Sequence, residues 1–330
     1  MAQDKVQKNI ALRILQGISG STASVVFLVT IIISIIVHFS TGSFFTVYNV
    51  GTLIRQVAFV IIIALGQTIV LISGGIDLSV ANIGAFCSMV VAMLITGTHI
   101  PNFLAVIIAL LIGALLGALN GLFISRLRLS PFIVTLATGS IFSGIVYVVT
   151  GGMPIIGIPR SIAIIGQGML FNAIPYPAII MFVIFFIVKL VLDRTTLGRH
   201  VYALGGNEQA ANIVGVRVDR VKVMVYSISG LLASAAGVLM VLRLASSQVN
   251  IGENWLMPSI TAAILGGTSM SGGVGKVKGT LAGGLLMGVI ATSITLLGIS
   301  SYWERIVTGS VVLLAVATDA IRMKRSNKGS

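Results

Sequence analysis

Long apolar runs without charged residues recur along this chain, and they limit the folds that it can adopt. Residues 57–76 contain no charged side chain, and residues 78–125 contain no Lys, Arg, Asp or Glu. An apolar run of about 20 residues matches the hydrocarbon core of a bilayer when it forms a helix. Backbone groups in lipid must be satisfied within a helix or a closed barrel. Because the runs are continuous rather than alternating, the sequence predicts membrane-spanning helices.

Charge content and charge placement support this prediction. Charged residues make up only 9% of the chain, whereas a soluble domain carries about 25%. The net charge of +13 comes from basic residues that lie between the apolar runs, as the positive-inside rule expects, so the distribution argues against a nucleic-acid interface. The one cysteine, Cys87, lies within an apolar run and is interpreted as a small buried side chain.

The predicted fold is an all-α polytopic membrane protein of about ten transmembrane helices, with broken or re-entrant segments. We expect the spans near residues 22–40, 54–73, 79–96, 103–124, 131–150, 176–192, 223–244, 256–270, 279–297 and 303–321. The domain prediction is a cytoplasmic N-terminal segment at 1–21, one transmembrane domain at 22–321 and a cytoplasmic tail at 322–330. The first segment lacks the pattern of a cleavable signal peptide.

The basic residues also predict orientation. If both termini are cytoplasmic, only Arg55, Arg160, Arg243 and Arg305 of the 21 basic residues face outward, and an even number of spans preserves this asymmetry. The outer connection at 151–175 contains Gly and Pro residues and is expected to be a loop with a short lid helix.

The connection at 193–222 is polar and is predicted to contain a short helix outside the membrane. Gly205 and Gly206 are expected to break the chain, and Asn207 is a good N-cap for a helix to about Ile213. Glu208 then lies in the first turn, where a negative charge suits the helix dipole. Gly215 can end the helix in the left-handed conformation. This helix is either an ordinary connector or a docking element for a cytoplasmic protein.

The stretch GGIDLS at 74–79 places one carboxylate between two apolar runs. An intramembrane acid is by default a functional group, such as a proton site. The alternative is structural: Gly74 and Gly75 end one helix, while Asp77 and Ser79 cap the next. We favour the structural interpretation, in which this break also acts as a hinge or gate, because no other span has a clear mid-membrane charge.

Motifs for chemistry within this chain are absent from the sequence. SGGVGKVKGT at 271–280 fails the phosphate-loop pattern because Met270 stands where the first Gly is needed and Val277 follows Lys276. The three histidines share no metal-ligand spacing, and no nucleophile motif occurs. The sequence therefore predicts no enzyme activity, no metal site and no ATP site on this chain.

Four stretches resemble the ATP-binding-cassette (ABC) permeases of the ribose, xylose and galactoside importers. They are GGIDLSVANIGAF at 74–86, NGLFISRLRLSPFIVTLAT at 120–138, GRHVYALGGNEQAANIVGV at 198–216 and ILGGTSMSGGVGKVKGT at 264–280. They occur in the family's order over most of the chain. One departure is at 256–259, where this sequence lacks an aspartate that many members carry, so the resemblance does not extend to the identity of the solute.

The resemblance implies an importer subunit in a bacterial inner membrane. Expected partners are an ABC ATPase that binds ATP and Mg²⁺, a second permease copy or a similar subunit, and an external sugar-binding protein. It implies that the segment at 193–222 docks on the ATPase through Gly205, Gly206, Asn207, Glu208, Ala210, Ala211 and Gly215. The alternative function is a standalone carrier or channel for a small polar solute, which has no use for a docking helix.

A pathway for a neutral solute is expected to be lined by hydroxyl and amide groups, which exchange hydrogen bonds with the solute. The candidates are Asn82, Asn120, Thr135, Thr138, Ser140, Ser227 and Thr261. Each one can instead serve as a helix–helix hydrogen bond, and for any single candidate we favour that role.

Overall fold

A computed structural model describes residues 22–300 and 302–326. In chain order the elements are α1 (Thr22–Thr41), α2 (Val47–Ile72), α3 (Val80–Gly97), α4 (Asn102–Arg126), α5 (Pro131–Thr150), β1 (Ile155–Ile156), α6 (Arg160–Gln167), β2 (Met169–Leu170), β3 (Ile174–Pro175), α7 (Tyr176–Arg194), α8 (Thr196–Gly206), α9 (Glu208–Ile213), α10 (Val218–Leu244), β4 (Ser246–Ser247), α11 (Leu256–Leu265), α12 (Val277–Leu296) and α13 (Tyr302–Ser326). The expected segments 1–21 and 327–330 lie outside the described residues.

The prediction of an all-α polytopic membrane protein is confirmed. Within the described part of the chain, eight helices are long and apolar enough to cross a membrane: α1 to α5, α7, α10 and α12. The span predicted at 303–321 falls within α13, and the span predicted at 256–270 is the short helix α11. The expected count of ten is therefore approximate.

Helices α2 and α10 are the most buried of the eight and form the centre of the bundle. Helix α4 packs closely on α10 because Gly113, Gly117 and Gly121 bring the two backbones together. A Cβ added at Gly117 would overlap the carbonyl oxygen of Tyr226, so a larger residue would push the helices apart. Small residues four positions apart on one helix let a neighbouring helix approach this closely. Cys87 is buried in the same core, as predicted.

The two ends of α10 define the two ends of the bundle. Helix α10 has 27 residues and is about 40 Å long. Helix α6 lies across its C-terminal end, where Gln167 Nε2 donates a hydrogen bond to the Arg243 carbonyl at 3.1 Å. Helices α8 and α9 precede its N-terminal end. We call the end of the bundle at the C-terminus of α10 the lid end, and the end at its N-terminus the basic end. Helix α6 is the short helix that was expected in 151–175.

Four two-residue strands at the lid end were not predicted from the sequence. β1 pairs antiparallel with β4, joining Ile155 to Ser247, and β2 pairs antiparallel with β3, joining Met169 to Pro175. The pairing of β1 with β4 ties the connection before α6 to the segment that comes after α10.

Helix α11 is a half-helix rather than a full span. It has ten residues, about 15 Å, which is half the thickness of a bilayer core. Trp255 precedes it and packs against Gly84 of α3. The helix stops at Gly267, whose φ of +90° allows the N–H groups of Gly267 and Thr268 to bond back to the last turn. The span predicted to reach residue 270 is therefore wrong at its C-terminal end.

Candidate coupling site

The helix predicted in the polar connection is present as α9. Asn207 has an extended backbone, and its Oδ1 accepts a hydrogen bond from the N–H of Ala210 at 2.9 Å. This is the N-cap that the sequence predicts. Gly205 and Gly206 do not break the chain as expected, because they form the last two residues of α8. The break between the two helices is Asn207 itself.

The end of α9 also agrees with the prediction. Gly215 has a φ of +88°. Its N–H bonds to the Asn212 carbonyl at 3.0 Å, and the N–H of Val216 bonds to the Ala211 carbonyl at 3.0 Å. These two bonds make a Schellman motif. Ala211 and Val216 are both buried, so they fix one side of α9 on the protein.

The opposite side of α9 presents apolar side chains to its surroundings. Ile213 is 85% exposed and Val214 is 77% exposed, although both residues are large and apolar. Glu208, in the first turn, forms an ion pair with Lys222 of α10 at 2.7 Å. Ala210 is exposed beside it. A short helix is thus held at its base while its tip remains uncovered, which suits contact with another protein.

Three segments meet at the basic end through glycine backbones. The Ile72 carbonyl, at the end of α2, accepts a hydrogen bond from the N–H of Gly273 at 2.8 Å. A Cβ on Gly205 would overlap that same carbonyl oxygen, and a Cβ on Gly272 would lie 2.9 Å from the Gly74 Cα. We call Gly74, Gly205, Gly272 and Gly273 the glycine junction. It connects α8, the end of α2 and the loop before α12.

Tyr202 adds a side-chain bond beside the junction. Its hydroxyl donates to the Gly275 carbonyl at 2.8 Å, which ties α8 to the loop before α12. Burial, together with the nearby Asp193 carboxylate, raises the pKa of Tyr202, so the hydroxyl keeps its proton and remains a donor. The sequence did not single out Tyr202, because one tyrosine in a polar segment gives no positional signal.

Gly74 and Gly75 end α2 as predicted. Gly74 has a φ of +82°, and the N–H groups of Gly74 and Gly75 bond to the carbonyls of Leu71 and Val70. The chain then turns back into the bundle, where the Asp77 side chain is fully buried.

The Asp77 carboxylate is fully bonded. Its Oδ1 accepts from the backbone N–H of Ser79 at 3.0 Å and from the Ser79 hydroxyl at 2.6 Å. Its Oδ2 accepts from the Ser229 hydroxyl of α10 at 2.8 Å. The carboxylate therefore joins the turn before α3 to the central helix α10.

Further bonds extend this arrangement to four helices. Gln67 of α2 donates to the Asp77 carbonyl, and Asn120 of α4 donates to Ser79 Oγ at 2.8 Å. Thr135 of α5 accepts from the Leu78 N–H at 3.0 Å. Tyr226 of α10 donates to the Ile76 carbonyl at 3.2 Å. The Asp77 network is the name we give to Asp77 and the side chains bonded around it, which are Gln67, Ser79, Asn120, Thr135, Tyr226 and Ser229. The glycine junction and the Asp77 network lie at the two ends of one seven-residue connection.

The capping prediction for α3 needs correction. Ser79 occupies the N-cap position, but its side chain makes no capping bond, because its hydroxyl donates to Asp77 instead. The Asp77 carboxylate accepts the N–H of Ser79, one residue outside the helix. Ser229 was missed, since its only sequence signal is a small polar residue on an apolar helix 152 positions away.

The seven pathway candidates have different surroundings. Asn120 and Thr135 belong to the Asp77 network. Ser227 donates to the Ala114 carbonyl of α4 at 3.0 Å, and Thr138, Ser140 and Thr261 bond to carbonyls one turn back in their own helices. Asn82, in the first turn of α3, lies against Gly139 of α5. These bonds match the helix–helix and intrahelical role, and lining of a pathway remains a prediction.

A cleft at the lid end was not predicted. Its volume is about 530 Å³, and it lies between the start of α11 and the first turns of α13. Its polar lining consists of Glu253, Asn254, Tyr302, Glu304, Arg305 and Thr308. These residues fall at the ends of two predicted spans, so their only sequence signal is the clustering of polar side chains there. Over 22–300 and 302–326, no three His, Cys, Asp or Glu residues group to hold a metal.

Comparison with known proteins supplies the family. Residues 49–316 match the family described as branched-chain amino acid transport system / permease component. The ribose import permease protein of Bacillus subtilis (strain 168) is 46% identical over 89% of this chain and 91% of its own length. No solved structure matches significantly.

Two further relatives align over similar lengths. The fructose import permease protein of Rhizobium meliloti is 33% identical over 92% of this chain and 87% of its own length. The D-allose transport system permease protein of Escherichia coli (strain K12) is 33% identical over 90% of this chain and 91% of its own length. The family resemblance of the four sequence motifs is therefore confirmed, and this chain belongs to the permease-component family of ABC importers.

Proposed function

We propose that this chain is the transmembrane permease subunit of an ABC importer for a monosaccharide that an external binding protein delivers. The observation that carries the proposal is the exposed helix α9, which is joined through a backbone-only junction to the end of transmembrane helix α2. A standalone carrier gains nothing from an uncovered apolar helix tip outside the membrane. As a permease component, the chain is not itself an enzyme.

Support for a sugar as the solute comes from the relatives. Proteins named for ribose, fructose and D-allose import align over most of the chain. The family description instead names branched-chain amino acids. We propose a monosaccharide because identity is 46% with a ribose permease over nearly the whole chain. A branched-chain amino acid is the competing solute, and the uptake experiment includes it.

The proposed orientation places the basic end in the cytoplasm of a bacterial cell, at its inner membrane, with both termini on that side. The positive-inside rule supports this choice, since Arg126, Lys189, Lys222 and Lys276 all lie at the basic end. Helix α9 then meets the ATPase, and the cleft at the lid end faces the binding protein. The partner ATPase binds ATP and Mg²⁺, and no cofactor is assigned to this chain.

The proposed route of force starts at the tip of α9. An ATPase that closes on Ile213 and Val214 moves α9 together with α8, because only Asn207 separates them. Gly205 passes this motion to the end of α2 and to the loop before α12. Rigid packing transmits displacement because packed interfaces have few intermediate positions. The Asp77 network carries the motion on to α10 and the surrounding helices.

The proposed solute route begins in the cleft at the lid end. Its carboxylate, amide, guanidinium and phenol groups include donors and acceptors for sugar hydroxyls. The half-helix α11 starts in this cleft, and irregular backbone within a membrane is tolerated where it is buried in protein or lines a cavity. A second permease copy or a homologous permease completes the pore.

The test is uptake by proteoliposomes that contain the full chain, its ATPase and the cognate binding protein. We expect uptake of labelled ribose only when ATP is enclosed on the ATPase side. If leucine were taken up in place of ribose, the solute would be an amino acid, but the proposal of ATP-driven import would stand. Ribose uptake by the chain alone, driven by a gradient, would overturn the proposal.

Docking is tested separately by co-purification of the ATPase. The double variant Ile213→Glu/Val214→Glu should lose the ATPase, because it places charge on the apolar tip of α9. Met153→Glu is the matched control, since Met153 is also apolar and 68% exposed but lies at the lid end. Equal ATPase recovery from both variants would contradict docking at α9.

A further inference from the structure

A cationic cavity lies at the basic end, next to the glycine junction. Its volume is about 980 Å³, and it is bounded by the first turn of α1, the end of α7 and the loop before α12. Its charged lining consists of Lys189, Asp193, Lys276 and Lys278. Lys189 pairs with Asp193 at 2.8 Å. Lys276 and Lys278 are exposed and make no ion pair with any described residue, so the lining has an excess of two positive charges.

An apolar groove continues from this cavity along the side of the bundle. Its volume is about 470 Å³, and it runs between α1 and α12. Ala23, Ser24 and Lys278 line both spaces, so the two are adjacent. Further along, the lining is wholly apolar and includes Phe27, Leu28, Ile31, Leu281 and Leu285.

The groove opens toward the surroundings of the bundle rather than its core. Phe27 is 50% exposed, Leu28 is 42% exposed and Ile31 is 41% exposed. Helix α1 is among the least buried of the membrane-spanning helices, which places it at the periphery. From Ala23 to Ile31 the groove runs along α1 for about 12 Å.

We propose that the joined cavity and groove bind one anionic phospholipid. The phosphodiester lies between Lys276 and Lys278, and one acyl chain lies in the groove beside Phe27 and Leu281. A free phosphate would match the lysines but leave the groove without an occupant. A neutral lipid would fill the groove but leave two lysines unpaired. Basic pockets between membrane helices are suited to anionic headgroups on the cytoplasmic side, and this placement rests on the orientation given under the proposed function.

The position of this site connects it to the junction. Lys276 directly precedes α12 and comes just after the loop that contains Gly272 and Gly273. Gly275 and Tyr202, which bond to each other, line the same cavity. A bound headgroup would therefore restrain the loop that contacts the ends of α2 and α8.

The first test measures phosphatidylglycerol retained by the purified full chain after equilibration in detergent with equal phosphatidylglycerol and phosphatidylcholine. The double variant Lys276→Gln/Lys278→Gln should retain about tenfold less phosphatidylglycerol, since each lysine near an anionic headgroup contributes to binding. The control is Arg126→Gln/Arg128→Gln, which removes the same charge from the end of α4 and should retain the amount found for the unaltered chain. If both variants lost the same amount of phosphatidylglycerol, the loss would reflect only the lower net charge of the protein, and the proposed lipid site would be wrong.

The second test addresses the acyl chain. Ser24→Trp fills the passage between cavity and groove and should lower phosphatidylglycerol retention as strongly as the lysine variant. Val25→Trp, on the adjacent exposed face of α1, lines neither space and should have no effect. Monomer and dimer are measured for each variant by light scattering. A change of oligomeric state with unchanged lipid would show that a second copy covers this groove, and the proposal would be wrong.

Soluble competitors separate a lipid from a free anion. Inorganic phosphate or glycerophosphoglycerol, at millimolar concentration, should leave retained phosphatidylglycerol unchanged, because neither has an acyl chain. Complete displacement by inorganic phosphate would overturn the lipid assignment. All of these outcomes are read without transport, so they stand apart from the test of the solute and of ATP dependence.

Discussion

The Asp77 network and the tip of α9 lie near the same end of the molecule but are built in opposite ways. Asp77, Ser79 and Asn120 are fully buried, and the carboxylate has a donor for each oxygen. Ile213 and Val214 at the tip of α9 are mostly exposed. The Asp77 carboxylate has all its bonding partners within the bundle. The uncovered apolar tip of α9 is instead suited to a partner outside the chain.

The two regions nevertheless share their local chemistry. Gly74 ends α2 and Gly215 ends α9 with the same pair of backbone bonds and a positive φ. After Gly74 the chain turns into the bundle core, whereas after Gly215 it leads directly into α10. The difference therefore comes from the direction of the chain beyond each helix end rather than from the end itself. Variants at three positions test whether the Asp77 network is a rigid part of the bundle and whether the tip of α9 depends on a partner.

The largest effect is expected at the glycine junction. In Gly205→Leu the new side chain would overlap the Ile72 carbonyl and crowd the Gly273 N–H. Overpacking against backbone costs about 3 kcal/mol, which corresponds to a loss of about a hundredfold in ATP-driven uptake. Gly144→Leu is the control, because Gly144 is exposed on α5, away from the coupling site, and no atom beyond its own helix lies within 4 Å of an added Cβ. It should stay within about twofold of the unaltered chain. Normal uptake by Gly205→Leu would show that the glycine junction does not transmit motion from α9 to the membrane helices.

The next effect is expected in the Asp77 network. Asp77→Leu leaves the Ser79 N–H and two buried hydroxyls without their acceptor, at about 1–3 kcal/mol each. We expect lower thermal stability and loss of most uptake. Asp77→Asn keeps an acceptor oxygen and should retain much of the uptake. If Asp77→Asn loses uptake as fully as Asp77→Leu, the negative charge itself is required and the structural role is insufficient.

The smallest effect is expected at the cap of α9. Asn207→Ala removes the acceptor for the Ala210 N–H, which costs about 1 kcal/mol. The affinity for the ATPase should fall about fivefold, while the thermal stability of the bundle stays unchanged. Asn207→Asp keeps the capping oxygen and should bind the ATPase as the unaltered chain does. A fall in bundle stability with Asn207→Ala would show that α9 is part of the rigid region after all.

Local signals in the sequence predicted local features well. The cap at Asn207, the helix to Ile213 and the stop at Gly215 depend on side-chain and φ preferences of adjacent residues, and all three are confirmed. The spans at α1, α4 and α5 depend on hydropathy over about 20 residues. Each of these features is set by residues close together in the chain.

Features that depend on distant residues were not predicted. Ser229 lies 152 positions from its partner Asp77. The contact between Gly205 and the Ile72 carbonyl joins residues that no local pattern connects. The span at 256–270 was drawn too long because hydropathy averages across Gly266 and Gly267, whereas the φ of Gly267 ends the helix. Hydropathy reports burial in lipid and gives no information on where a helix stops inside it.

The glycine junction has a consequence for variation among proteins built like this one. A contact made only of main-chain atoms cannot be strengthened or weakened in small steps, because any added carbon at Gly205 collides with its neighbour. Such a joint is either kept whole or lost. Gradual adjustment of how tightly energy input and solute movement are linked must then occur at side chains around it, such as Tyr202, which bonds to the Gly275 carbonyl beside the junction.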